Sequence, residues 1–241
     1  MSKEFGNIFE IGSCNRKLGY RYLNYEAQPY TYPTWKGFQM SRLAESFVKE
    51  TLVQKGYKII GKNKDVQFEG FTGRIDGLVI RNNEPVLLEC KMVINEEKYE
   101  LVKSHGLKSG NKFHYAQIQT YLASPSLNKL RNCLVVVLDN NESTWDDACW
   151  HEEMIAIDFE FQQYLKNKIS KLKEAVYDGN LPFPDPSVET NECAYCIYRN
   201  LCKYQDGRII VPCHKCSVKN KLQIARLNRR AKCGNCGAYL N

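Results

Sequence analysis

Asp76 lies on one side of an Asn82-Asn83 pair and Glu89 and Lys91 on the other, within the run GRIDGLVIRNNEPVLLECK (73–91). The flanking segments 74–80 and 85–92 are rich in Val, Ile and Leu, which predicts a β-hairpin. A two-residue turn pairs Asp76 with Glu89, and a longer loop centred one residue later pairs it with Lys91. Both registers put the three side chains on one face, because strand side chains alternate with a period of two. Carboxylates opposed at a Cβ separation of about 5 Å repel each other and call for a positive charge between them. A Mg2+ or Mn2+ ion suits that place: it takes one or two carboxylates, backbone oxygens and water, and leaves positions for phosphate oxygens. Asp76, Glu89 and the backbone carbonyl of Cys90 are therefore candidate ligands. Lys91 is the candidate to orient or help deprotonate an attacking water and to favour negative charge on a phosphate. The competing reading is a hairpin with solvated charged ends. Against it, VLLEC is apolar on both faces, as in a central strand whose charged end opens into a cleft.

Several elements must position these residues. Residues 36–55 place Phe38, Leu43, Phe47 and Leu52 at helical spacing, and Gly56 ends the run. Strands are expected at 57–60 and 65–69, then the hairpin, a helix at 111–124, a buried strand in CLVVVLD (133–139), a strand near 150–157 and a long helix near 159–177. LPFPDP at 181–186 breaks regularity. This order makes a mixed sheet flanked by helices, an α/β fold.

The chain of 241 residues is 43% hydrophobic and 25% charged, so it can bury a core as one main domain with a small appendage. No run approaches the about 20 apolar residues of a membrane span. MSKEFGNIFE lacks a basic start followed by an apolar segment, so no secretory signal and a cytoplasmic location are expected. Eleven cysteines in that setting point to metal rather than disulfides. Charge is uneven: net charge is +7, yet no acid follows Asp206 while eight cations do, including Arg226, Arg229 and Arg230. The body is thus near neutral and the tail is basic, as in a polyanion binder or simply a solvated surface. In the same tail, Cys213-x2-Cys216 and Cys233-x2-Cys236 flank 16 residues, the spacing of a four-thiolate zinc ribbon, with His214 a bystander. The expected domains are 1–206 and a basic zinc ribbon at 207–241.

Asp76 followed by Glu89-Cys90-Lys91 resembles the D…(D/E)xK signature of the PD-(D/E)XK nuclease superfamily. Gln117-Ile118-Gln119-Thr120-Tyr121 resembles the QxxxY motif of its RecB-type exonuclease branch, and HYAQIQTYL also resembles the QxQ-bearing helix of viral recombination exonucleases. The resemblance covers roughly 10–204 and implies a restriction-endonuclease-like core. In it, Gln117 and Tyr121, on one helix face, line the groove and contact DNA. It implies a metal-dependent exonuclease acting on single strands or duplex ends, in CRISPR adaptation, recombination or repair, with proteins of those pathways as possible partners. The alternative is an inactive nucleic-acid-binding or adaptor protein on the same fold. Many members carry a metal-binding His in the first long helix. GFQMSRLAESF has none, so Glu45 is the substitute ligand or else a solvated helix residue.

Cys14, far upstream of Cys193-x2-Cys196-x5-Cys202, completes an arrangement that resembles the iron-sulfur RecB-type nucleases, including CRISPR-associated ones and the AddB subunit. The resemblance implies a [4Fe-4S] cluster clasping both ends of the domain. A second zinc site and buried thiols are the other readings. Cys90, Cys133 and Cys149 lie in apolar runs and read as core. His114 either faces the groove or packs beside it. Tyr20, Tyr22, Tyr25, Tyr30, Tyr32 and Trp35 either stack on bases or pack in the interior.

Overall fold

The computed structural model describes residues 5–29, 32–62, 64–93, 95–139, 149–182, 196–199, 202, 208–212, 215–216, 219–223 and 235–236. The chain divides into two compact units, each built from discontinuous segments: Met1–Gly12 with Thr31–Ile169, and Ser13–Tyr30 with Ser170–Asn241.

In the first unit, α2 (Tyr32–Gln54) follows β1 (Gly6–Asn7) and a short 3-10 turn, Ile8–Glu10. Then come β2 (Lys58–Lys62), β3 (Asp65–Phe68), β4 (Phe71–Arg74), β5 (Gly77–Arg81), β6 (Glu84–Val93), α3 (Glu96–Gly110), α4 (Lys112–Ala123), β7 (Asn132–Asp139), β8 (Trp150–Ala156) and α5 (Phe159–Tyr177), whose last residues belong to the second unit. A five-stranded mixed sheet runs in the order β2-β5-β6-β7-β8, parallel only between β6 and β7. A small sheet, β1-β4-β3, stands apart from it.

The expected hairpin forms with the two-residue turn: Arg81 pairs with Glu84 and Gly77 with Leu88. Asn82 and Asn83 both have positive φ, 51° and 64°, the geometry that matches the twist of the flanking strands. The first strand is not the single run 74–80. Phe71–Arg74 belongs to the small sheet and Gly77–Arg81 to the large one, with Ile75 and Asp76 at the break between them. Strand β6 is central, as its apolar faces require. On one face Val79, Leu88, Leu134, Val136 and Leu138 pack against Ala44, Val48 and Leu52 of α2, with Cys90 at the margin. Cys133 and Cys149 are buried. The other face carries Glu89 and Lys91, and α3 and α4 lie against β7. Helix α3 is broken at Gly106 (φ 76°), where the backbone N–H of Leu107 donates to Glu153 Oε2 at 2.7 Å. Asp158 caps α5 by accepting from the Phe161 N–H at 3.0 Å, and also takes the Lys108 ammonium and the Tyr115 hydroxyl at 2.7 and 2.8 Å.

The second unit holds α1 (Asn15–Tyr22), with Cys14 at its N-cap, and an antiparallel pair, β9 (Arg208–Pro212) and β10 (Lys219–Gln223). Tyr20 is fully buried. It stacks on Tyr198 at 5.3 Å and meets Tyr25 edge-on at 5.1 Å, so interior packing is the fate of this tyrosine. The Gln28 N–H donates to the Ile197 carbonyl at 2.9 Å. No described helix is long and apolar enough to cross a membrane.

Candidate active site

Two strand ends and one helix face converge on Glu89. Strand β6 is buried along Val86–Glu89, so the Glu89 side chain is only 1% exposed. Its Oε1 accepts from the Lys91 ammonium, two residues along the same strand face, and from Gln117 Nε2 at 3.0 Å. Gln117 Nε2 also reaches the Tyr121 hydroxyl at 3.1 Å, and that hydroxyl donates to the Arg74 carbonyl at 2.9 Å. The i, i+4 spacing that puts Gln117 and Tyr121 on one helix face thus ties the carboxylate to the chain break that delivers Asp76. Asp76 Oδ2 accepts from the Cys90 N–H at 2.7 Å. Both Gln117 and Tyr121 are buried, and these polar atoms bond to protein groups inside the site. The close approach depends on Gly73, where a Cβ would lie 2.9 Å from Ile8 Cβ and 3.1 Å from Tyr121 Cε1.

The electrostatics follow from burial. Desolvation, then the charge of Asp76, pushes Glu89 up to about 8. Burial, aided by Glu45, raises Asp76 as well, against the pull of Lys91 and the Cys90 N–H. Burial opposes charge on Lys91, but Glu89 and Asp76 outweigh it and hold the ammonium protonated. Glu89 Oε2 is buried with no hydrogen-bond partner among the described residues. An orphaned carboxylate oxygen beside a second carboxylate of raised affinity for protons is the arrangement a divalent cation relieves, so the donor set fits a hard cation of the Mg2+ or Mn2+ class.

Glu45 is felt by both Asp76 and Glu89, which places its charge on this side of α2. Its carboxylate is paired with Lys49, one turn further along. Among the described residues, no three His, Cys, Asp or Glu side chains are grouped closely enough to hold a metal ion. The i, i+4 spacing of Glu45 and Lys49 sets the pair on one helix face and is visible in the sequence.

No family profile matches the chain, and no curated protein sequence does. Solved structures match. An alkaline exonuclease from Laribacter hongkongensis, 16% identical, aligns over 71% of this chain and 87% of its own with a TM-score of 0.52. The structure named SSO0001, 15% identical, aligns over 85% of this chain and 88% of its own, also at 0.52. The chain has the fold of an alkaline exonuclease. Its mixed sheet with flanking helices is the α/β arrangement that the sequence predicts.

The thiol sites stand differently. Cys14, Cys196 and Cys202 belong to one unit, and the turn Ile197–Arg199 touches the segment after Cys14 through the bonds of Tyr20 and Gln28 given above. The Tyr20 hydroxyl is raised by burial and then by the neighbouring Cys202 thiol. Cys193 lies outside the described residues, as do Cys213 and Cys233 of the expected ribbon. Cys216 and Cys236 each sit in a turn, and β9 and β10 flank the first of these turns. Tyr30 also lies outside the described residues, and the side chains of Tyr32 and Trp35 do too.

Proposed function

We propose that this chain is a metal-dependent deoxyribonuclease that hydrolyses phosphodiester bonds of single-stranded DNA or duplex ends. The observation that carries this reading is the orphaned Oε2 of Glu89 beside Asp76, with a protonated Lys91 tethered to the same carboxylate. Asp76, Glu89 and the Cys90 carbonyl would hold the cation, which when bound supplies a water activated near neutral pH and charge for the scissile phosphate. Lys91, kept protonated, acts through its positive charge on the developing phosphorane oxygens rather than as a base. Gln117 and Tyr121 are positioning residues: they hold Glu89 in its rotamer and fix the chain break at Arg74. The fold shared with an alkaline exonuclease supports the same reading.

Two further metal sites belong to the proposal. A [4Fe-4S] cluster on Cys14, Cys193, Cys196 and Cys202 is supported by three of these thiols falling within one compact unit. Zinc on Cys213, Cys216, Cys233 and Cys236 is supported by the knuckle spacing. A catalytically weak nucleic-acid-binding protein on the same fold is favoured by one observation, the pairing of the Glu45 carboxylate with Lys49.

The deciding experiment follows end-labelled single- and double-stranded DNA with Mg2+, Mn2+ or EDTA. Cleavage with metal that disappears in Lys91→Ala, while DNA binding persists, is the expected result; Asp76→Ala should lose metal binding too. Binding without cleavage by the native chain under either metal selects the adaptor reading, and full cleavage by a folded Lys91→Ala protein removes Lys91 from the chemistry.

A further inference from the structure

His114 is the polar side chain at this site that the proposed chemistry leaves unused. It stands three residues before Gln117 and seven before Tyr121, so the three share one face of α4. That face looks onto the strand end carrying Glu89 and Lys91. The His114 backbone N–H is satisfied by Asn111 Oδ1 at 3.2 Å, and its ring meets Phe113 edge-on at 5.8 Å. Among the described residues Nδ1 is closed off from solvent and has no hydrogen-bond partner.

The ring's protonation follows from its surroundings. Burial first, then the ammonium groups of Lys91 and Lys98, pushes His114 down to about 3, so the imidazole is neutral at any pH where the protein works. A neutral imidazole carries one N–H and one lone pair. Burying an unpaired lone pair costs less than burying an unpaired N–H, so the proton belongs on Nε2 and the bare lone pair on the enclosed Nδ1. The site therefore holds an uncharged N–H donor on Nε2, in the field of two ammonium groups. A cation is repelled there. An anionic oxygen gains a hydrogen bond and the attraction of both lysines.

We propose that His114 is a substrate-binding residue whose Nε2–H donates to a non-bridging phosphate oxygen of the bound strand, next to Lys91 and Lys98. This rests on the deoxyribonuclease reading for the identity of the ligand, a nucleic-acid phosphate. The neutral donor adds direction without adding charge, so it selects where one phosphate sits, whereas Lys98 attracts phosphates over a wider range.

The test uses the full chain with Ca2+ replacing Mg2+ to keep the strand intact. Its probes are short oligothymidylates, each carrying one methylphosphonate linkage, in which a methyl group replaces a non-bridging oxygen. For the native chain, substitution at one particular linkage should weaken binding about 10-fold or more, the size of a hydrogen bond to a charged group. His114→Phe keeps the ring volume and removes the donor. It should bind the unmodified strand about 10-fold more weakly and lose most of its sensitivity to that linkage, the remainder being the pull of Lys91 and Lys98 on the phosphate charge. His114→Gln restores an N–H at similar reach and should recover part of the discrimination, which a purely structural role would not do. Thermal unfolding of both variants separates misfolding from loss of the contact. Undiminished sensitivity of folded His114→Phe to the same linkage overturns the proposal while leaving the nuclease reading standing. A native chain that binds no DNA overturns both, and one that binds with this pattern but never cleaves overturns the nuclease reading alone.

Discussion

Gly73 does at residue scale what no other side chain could. It lets Ile8 and the Tyr121 ring close over β4, and Tyr121 in turn holds the Arg74 carbonyl and Gln117. Gly73→Ala forces a methyl group to within 2.9 Å of Ile8 Cβ, so the ring or the 3-10 turn must move. Overpacking of this kind costs about 1–3 kcal/mol. Urea unfolding should show that loss, and turnover should fall by more than substrate affinity does, because the displaced Tyr121 and Gln117 hold Glu89 rather than the substrate. A variant as active and as stable as the native chain would show that Tyr121 has room to retreat. Much of this site was legible in the sequence: the turn at Asn82-Asn83, with the observed register as one of two alternatives, and the shared face of Gln117 and Tyr121. What those two side chains do was not. The family resemblance implies that they line the groove and contact DNA, and spacing alone does not give the bonds their polar atoms make within the protein.

At the scale of elements, legibility followed periodicity. The apolar run of β7 and the regular helical spacing of α5 appear where the sequence placed them. Helix α3 was missed because its buried positions, Tyr99, Val102 and Leu107, fall out of helical register where Gly106 breaks the helix. Helix α1 was missed because it buries Arg16 and Gly19 alongside Leu18 and Tyr20, an inward face that does not read as apolar. The break at Ile75 and Asp76 was hidden inside residues that all favour strand. Asp158 offers a test at this scale, since it joins the start of α5 to α3 and α4. Hydrogen bonds from Lys108 and then from the Phe161 N–H hold its carboxyl down at about 2, below the ordinary 3.8. A depressed carboxyl stabilises the fold above its unfolded value and loses that contribution as pH falls through the folded one. Asp158→Ala should therefore cost about 1 kcal/mol at neutral pH, the usual effect of losing an N-cap. The gap between variant and native chain should close as chemical denaturation is repeated from about pH 4 down toward about pH 2. A gap that does not change with pH would mean that packing, not the carboxylate, accounts for the loss.

For the whole molecule, the thiols and the basic tail carry the remaining tests. If Cys14, Cys193, Cys196 and Cys202 hold a cluster, anaerobically purified protein is brown and contains iron, and Cys196→Ser loses both colour and stability. A colourless folded protein containing only zinc would remove the cluster. If the tail grips phosphates, neutralising Arg226, Arg229 and Arg230 together should lower the slope of log K against log salt by about 0.7 for each lost single-strand contact. An unchanged slope would return those arginines to a merely solvated surface. The division into discontinuous units also sets an order in time. The segment Ser13–Tyr30 belongs with residues from Ser170 onward, so it emerges from the ribosome long before its partners exist. At the usual pace of synthesis, Tyr20 waits on the order of ten seconds for Tyr198 to be made. During that interval the residues of the first unit downstream of Tyr30 are completed, while the inward face of the nascent α1, with Cys14 at its head, lacks the cover that Tyr198 will give and is open to chaperones and to oxidants.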